Sequence, residues 1–291
     1  MKRILLSMIV GAAVVGASDV FAKSTTFNAK KPILFGSDKW SGSSNWSNGT
    51  PSSGDGVSLY RTSENDLSGL SLNFLSCCAS TYGEWELTGN ALTLNGETGL
   101  CSNTDHSKEK ESLLTVSTPL TVGRSQSWNV WSPLPAIVVK GTVTVPTDCS
   151  VTKEGAGTIE IATSNPNWMG PVCVTGGVIR VTAADKPFGG SGCGVVSVFA
   201  GSSADATTGN GQGQLRLCGT KLYNDVRVWN GNNKQPIMAD AVGGGEKTSV
   251  VLGKVTANDN SFYPGGENDA VLALGGGLVG LSNNLYLRPT G

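Results

Sequence analysis

Apolar residues in this chain recur as short pairs that flank a single residue of another kind. Val143 and Val145 flank Thr144, Ile159 and Ile161 flank Glu160, Val172 and Val174 flank Cys173, and Ile179 and Val181 flank Arg180. The same motif returns at Val196 and Val198, Leu215 and Leu217, Val226 and Val228, Leu272 and Leu274, and Leu285 and Leu287. Alternation with period two puts the apolar pair on one face of a strand and the middle residue on the other. Ile159, Ile161, Val172, Val174, Ile179 and Val181 are therefore predicted to point inward, and Glu160, Cys173 and Arg180 outward. Charged middle residues, Arg216 and Arg227 among them, predict that the second face is wet. No amphipathic helix longer than two turns is evident; the polar run 104–112 has no apolar face and reads as a solvated loop. Many brief strands separated by Gly-rich turns predict an all-β right-handed parallel β-helix with an irregular N-terminal cap, in which stacked coils bury one apolar column. A β-sandwich or jelly roll is the alternative, although it calls for longer strands at wider spacing.

The N-terminus adds a compartment. Lys2 and Arg3 precede an apolar stretch over 4–16, and Val20-Phe21-Ala22 places small or slim residues where a signal peptidase reads. This is the pattern of a secretory signal peptide, with cleavage expected after Ala22 and a mature chain starting at Lys23. The stretch is short for a bilayer span, which takes about 20 residues, and no later segment is apolar enough to be one. The sequence thus divides into a signal peptide (1–22), an N-terminal cap with early irregular coils (23–135) and a β-helix repeat region (136–291). The expected location is secreted or at the cell surface.

Composition agrees with strands and turns. Gly supplies 40 of 291 residues, about twice its usual share, while charged residues make up only 15% and hydrophobic residues 38%. That apolar fraction is enough to build a core. Removing Lys2, Arg3 and Asp19 with the signal leaves 19 of the 21 basic and 21 of the 22 acidic side chains. So even a balance gives no electrostatic reason to expect nucleic acid or an anionic membrane as partner.

One stretch is more specific than composition. Val151-Thr-Lys-Glu-Gly-Ala-Gly-Thr-Ile-Glu-Ile161 is followed by Asn165, Asn167, Trp168 and Gly170, then by Val172 to Val174, Gly176, Gly177 and Val178-Ile-Arg-Val181. Residues 151–181 resemble the autotransporter-associated β-strand repeat, with Trp168 where that family usually carries Tyr. Upstream, Trp40, Asn45-Trp46, Pro51 and Gly54-Asp55 resemble the segment that often precedes such repeats, which implies a capping coil. The resemblance implies a passenger-type β-helix at a bacterial surface. At the corners, Gly155, Gly157, Gly176 and Gly177 are expected to supply positive φ. After Pro289 nothing reads as a polar cap, so an apolar terminal edge is expected around Leu272, Leu274, Leu281, Leu285 and Leu287.

Candidate chemistry is sparse. The single histidine, His106, lies in a charged run without the context of a catalytic triad. Cys77, Cys78, Cys101 and His106 lack the paired spacing of a zinc site. Gly243-Gly-Gly-Glu246-Lys247-Thr248 puts Glu246 where a phosphate loop needs Gly. Asn258-Asp259-Asn260 and Gly265-Gly-Glu-Asn-Asp269 offer oxygen ligands for calcium but read better as polar turns. No catalytic, metal or cofactor residue is assigned, and no cofactor is expected. The tryptophans are scattered, and packing is the role expected of most of them. Cys149, Cys173, Cys193 and Cys218 are separated by 24, 20 and 25 residues, close to one coil of roughly 20 to 25 residues. Disulfides between neighbouring coils, Cys173 with Cys193 or Cys193 with Cys218, are therefore a candidate staple, with chance spacing as the alternative. The function expected is an exported structural or adhesive surface module without catalysis, whose partners are extracellular glycans or cell-surface components. The alternative is a β-helix that binds or cleaves extracellular polysaccharide, and two carboxylates within about 10 Å on one face would favour cleavage.

Overall fold

The computed structural model describes residues 23–27, 38–78, 83–103, 112–131, 135–200, 212–229, 235–241, 248–258, 261–262, 264–267, 269–280 and 286–287. The chain winds into a parallel β-solenoid. Successive short strands visit the walls of a prism in turn, so each strand pairs with its counterpart one coil earlier and one coil later. The first wall is an 11-stranded sheet that starts at Ser24–Thr26 and ends at Leu278–Gly280; the second is a nine-stranded sheet from Ser63–Asn65 to Gly265–Glu267. The third wall is built from a four-stranded sheet (Leu70–Leu72 to Val143–Thr144) and a three-stranded sheet (Lys221–Leu222 to Val271–Leu274). Among the described residues the only helix is a single 3-10 turn at Ser43–Asn45, and no helix is long and apolar enough to cross a membrane. The first two sheets run without a break through the 135/136 boundary drawn from the sequence.

Period-two alternation builds this core as expected. Val151 pairs with Val172, and the row continues through Val196, Val226 and Val255 to Leu278. Ile159, Ile161, Val172, Val174, Ile179 and Val181 are all buried, while Glu160, Cys173 and Arg180 lie on the wetter side. Each such tooth removes apolar surface from water at roughly 25 cal/mol per Å2. An aromatic spine joins the coils through edge-on contacts, Trp128 with Trp168 at 5.7 Å and Trp168 with Phe188 at 5.1 Å.

Side chains also tie the corners. Buried Asn165 accepts the Val143 N–H at 2.6 Å in one neighbouring coil and donates to the Pro187 carbonyl at 2.9 Å in the other. Of the four corner glycines expected to need positive φ, Gly155 (74°) and Gly177 (60°) adopt it, whereas Gly157 and Gly176 do not. Gly177 meets a further demand, since a Cβ there would stand 2.2 Å from the Gly157 carbonyl oxygen of the adjacent coil.

Lys153 departs from the alternation rule. It occupies an inward place, in register with Trp128 on one side and Val174 on the other, and it is fully buried. Its Nζ donates to the carbonyl oxygens of Glu154 (2.6 Å), Gly155 (2.9 Å) and Gly176 (3.1 Å). The ammonium thus sits inside the corner formed by the Gly-rich turn and the next coil. Burial pushes its pKa down to about 7, with the Glu154 carboxylate opposing.

At the N-terminal end an aromatic cluster closes the column. Trp46 packs edge-on against Phe27 and Trp40, and its Nε1–H donates to the Trp40 carbonyl at 2.8 Å. Trp40 in turn donates to Ser63 Oγ at 3.0 Å. Trp40 and Trp46 of this cluster belong to the segment for which a capping coil is expected. Near the other end, Leu272, Leu274 and Leu278 are only partly buried and Val271 is 54% exposed. Leu281 and Leu285 lie outside the described residues, as does the Leu287 side chain.

Candidate functional site

The outer face of the first sheet follows from the same alternation. Its central row runs Ser127, Thr152, Cys173, Ser197, Arg227, Thr256, Val279, one residue per coil. Small side chains make the early coils smooth, and the character changes at Arg227. In the adjoining row Phe199 and Trp229 are register partners, and their rings stack at 5.9 Å with only 5° between the planes. Trp229 is 38% exposed. Of the other tryptophans, Trp40, Trp46, Trp85, Trp128 and Trp168 are buried and Trp131 is half-buried.

Beside this aromatic shelf lies a cleft of about 320 Å3 lined by Trp229, Arg227, Asp225, Lys254, Thr256 and Asn258. Asp225 is oriented by the next coil, because its Oδ1 accepts the backbone N–H of Lys254 at 2.8 Å. The Arg227 and Lys254 side chains enter no ion pair among the described residues. A flat aromatic surface next to hydroxyl, amide and charged groups is suited to a ligand with one apolar face and a polar rim.

A second cluster lies on the outer face of the nine-stranded sheet. Arg180 stands 3.9 Å from Glu160, and Arg216 stands 3.7 Å from Asp240 and 3.0 Å from Glu267. Asp240 and Glu267 are register partners, so two carboxylates do meet across coils. Both face one guanidinium, which Gln214 also orients by accepting from Arg216 Nε at 2.6 Å. The cluster neutralises charge on a half-buried face. Glu160, Arg180 and Arg216 are all held in ion pairs.

The four candidate staple cysteines are not brought together. All four are free thiols. Cys173 is flanked in its row by Thr152 and Ser197. Cys193 lies in the turn before the next strand, with its sulfur 3.5 Å from that of Met169. Cys218 directly follows the strand Gln212–Leu217 of the nine-stranded sheet, and Cys149 stands beside Asp148. Coil-like spacing does not give them a shared row. Cys149, Cys173 and Cys218 are not poised as nucleophiles, since burial pushes their thiols up, Cys218 to about 11. A raised pKa leaves little thiolate, the reactive form.

Among the described residues no three His, Cys, Asp or Glu side chains gather as metal ligands. His106, the 243–247 part of the Gly-rich run, and Asp259, Asn260 and Asn268 of the calcium-like turns lie outside the described residues. The aromatic shelf, absent from the sequence-based expectations, has a local signal: Val196-Ser-Val-Phe199 and Val226-Arg-Val-Trp229 each place an aromatic residue directly after an apolar pair. Comparison of the chain with protein-family models, with curated proteins and with solved structures gave no match.

Proposed function

We propose that this chain is an exported, surface-associated β-solenoid that acts by adhesion rather than catalysis, and that its ligand is an extracellular glycan docked on the Phe199–Trp229 shelf. The observation behind the ligand is the stacked aromatic pair, with Trp229 open to solvent beside Arg227, Thr256 and Asn258. A sugar ring offers a C–H face to an aromatic plane and hydroxyl groups to the polar rim. Export is supported by the signal-peptide pattern over 1–22, and the passenger-type role by the resemblance of residues 151–181. A glycan array probed with the chain lacking 1–22 tests the reading: retention on a subset of glycans is expected, with loss in Trp229→Ala. An array without bound spots, or one that Trp229→Ala leaves unchanged, refutes it. The cleaving alternative has one observation in its favour, the meeting of Asp240 and Glu267. New reducing ends released from an array-positive polysaccharide, and lost in Glu267→Gln, would decide for it.

A further inference from the structure

Charge at the shelf narrows the ligand class. Resting on the glycan-binding reading, we infer that the site takes an acidic polysaccharide, with Trp229 stacking on a sugar ring and Arg227 and Lys254 holding the carboxylate of a uronic acid unit. The chain as a whole is slightly acidic, with 22 acidic against 21 basic residues. A local excess of cations at the cleft is therefore not imposed by the overall charge of the chain. Elsewhere the described arginines of the outer faces are matched: Arg180 by Glu160, Arg216 by Asp240 and Glu267, Arg124 by Glu97, and Arg61 by Asp38. Among the described residues Arg227 has no such partner; it stands one register step from Thr256 and beside the exposed Trp229.

The lining also contains one carboxylate, Asp225, whose Oδ1 is already occupied by the Lys254 N–H. Among the described lining residues, two cations against one carboxylate give a net charge of one. This suits a ligand with a single carboxylate per sugar better than a densely sulfated chain. A guanidinium fork matches a carboxylate through two parallel hydrogen bonds, while an ammonium acts as a point charge. Arg227 and Lys254 stand on successive coils, which are about 4.8 Å apart. That spacing is close to the length of one sugar residue, so a polysaccharide lying along the solenoid axis presents successive rings to successive coils.

Isothermal titration of the chain lacking 1–22 with oligogalacturonate, its methyl ester, a dextran sulfate oligosaccharide, which carries no carboxylate, and a neutral cello-oligosaccharide tests this inference. Oligogalacturonate is expected to bind at least tenfold more tightly than its methyl ester and more tightly than the sulfated chain, with affinity falling as salt rises. Arg227→Gln and Lys254→Gln, both at solvent-facing positions, are expected to weaken oligogalacturonate at least tenfold and threefold while leaving the circular dichroism spectrum unchanged. Equal affinity for acid and ester overturns the acidic assignment and leaves glycan binding standing. Preference for the sulfated chain overturns the carboxylate. Binding to none of the four overturns this inference, and the glycan reading falls with it only if the array is also blank.

Discussion

Lys153→Met removes a lysine that is built into the apolar column. The parent side chain makes three hydrogen bonds from its ammonium to the carbonyls of Glu154, Gly155 and Gly176. Bonds from a charged donor contribute roughly 1.5–3 kcal/mol each, so about 5–9 kcal/mol of interaction is lost. Relief from burying a charge returns several kcal/mol. Glu154 also keeps an acceptor role, because its carbonyl oxygen receives the Val130 N–H at 3.1 Å. Methionine fills the same space between Trp128 and Val174 and adds apolar contact. The balance is a loss of about 2 kcal/mol near neutral pH, read as a lower urea midpoint with an unchanged slope. The pH dependence gives a second check. Burial places the folded pKa at about 7, below the roughly 10.4 of a lysine in the unfolded chain. Between these values the unfolded state binds more protons, so parent stability rises with pH across that window. The deficit of Lys153→Met should accordingly widen from pH 7 to pH 10. A variant as stable as the parent, or a deficit that narrows with pH, would refute the reasoning.

Two further outcomes follow from the core and the thiols. Ile161, with no exposed surface, tolerates no charge: Ile161→Asp loses the burial of the side chain and strands a carboxylate, costing several kcal/mol, and an unchanged melting temperature would contradict the inward register. Alkylation at pH 8 should modify Cys173 and Cys218 far more slowly in the folded chain than in urea, because both thiols are pushed up by burial, and non-reducing peptide maps should show Cys149, Cys173, Cys193 and Cys218 unlinked; a cross-linked Cys173–Cys193 or Cys193–Cys218 fragment would overturn this placement.

The inward teeth were legible in the sequence because alternation is a local property. Ile159-Glu160-Ile161 and Ile179-Arg180-Val181 need no knowledge of the rest of the chain to show which face is dry. Register between coils is a different matter. Val172 pairs with Val196, and Val196 with Val226, so consecutive coils differ in length and no single period assigns rows. That is why evenly spaced cysteines suggested a staple that the rows do not form. It is also why Phe199 and Trp229, thirty residues apart in sequence, could not be recognised as a stacked pair. Lys153 was hidden for another reason. A lysine at a tooth position is normally read as a break in the pattern, and only the Gly-rich corner folding carbonyls around its tip makes it an inward residue.

Trp229 offers the most direct measurement of the central claim, because among the seven tryptophans it is the exposed one on the shelf. Tryptophan emission recorded while an array-positive glycan is titrated reports occupancy at that ring. The account predicts a saturable change in intensity or wavelength that disappears in Trp229→Phe, with the melting temperature of that variant preserved. A response of equal size in Trp229→Phe, or an array-positive glycan that leaves Trp229 silent at saturation, would contradict docking on the aromatic shelf.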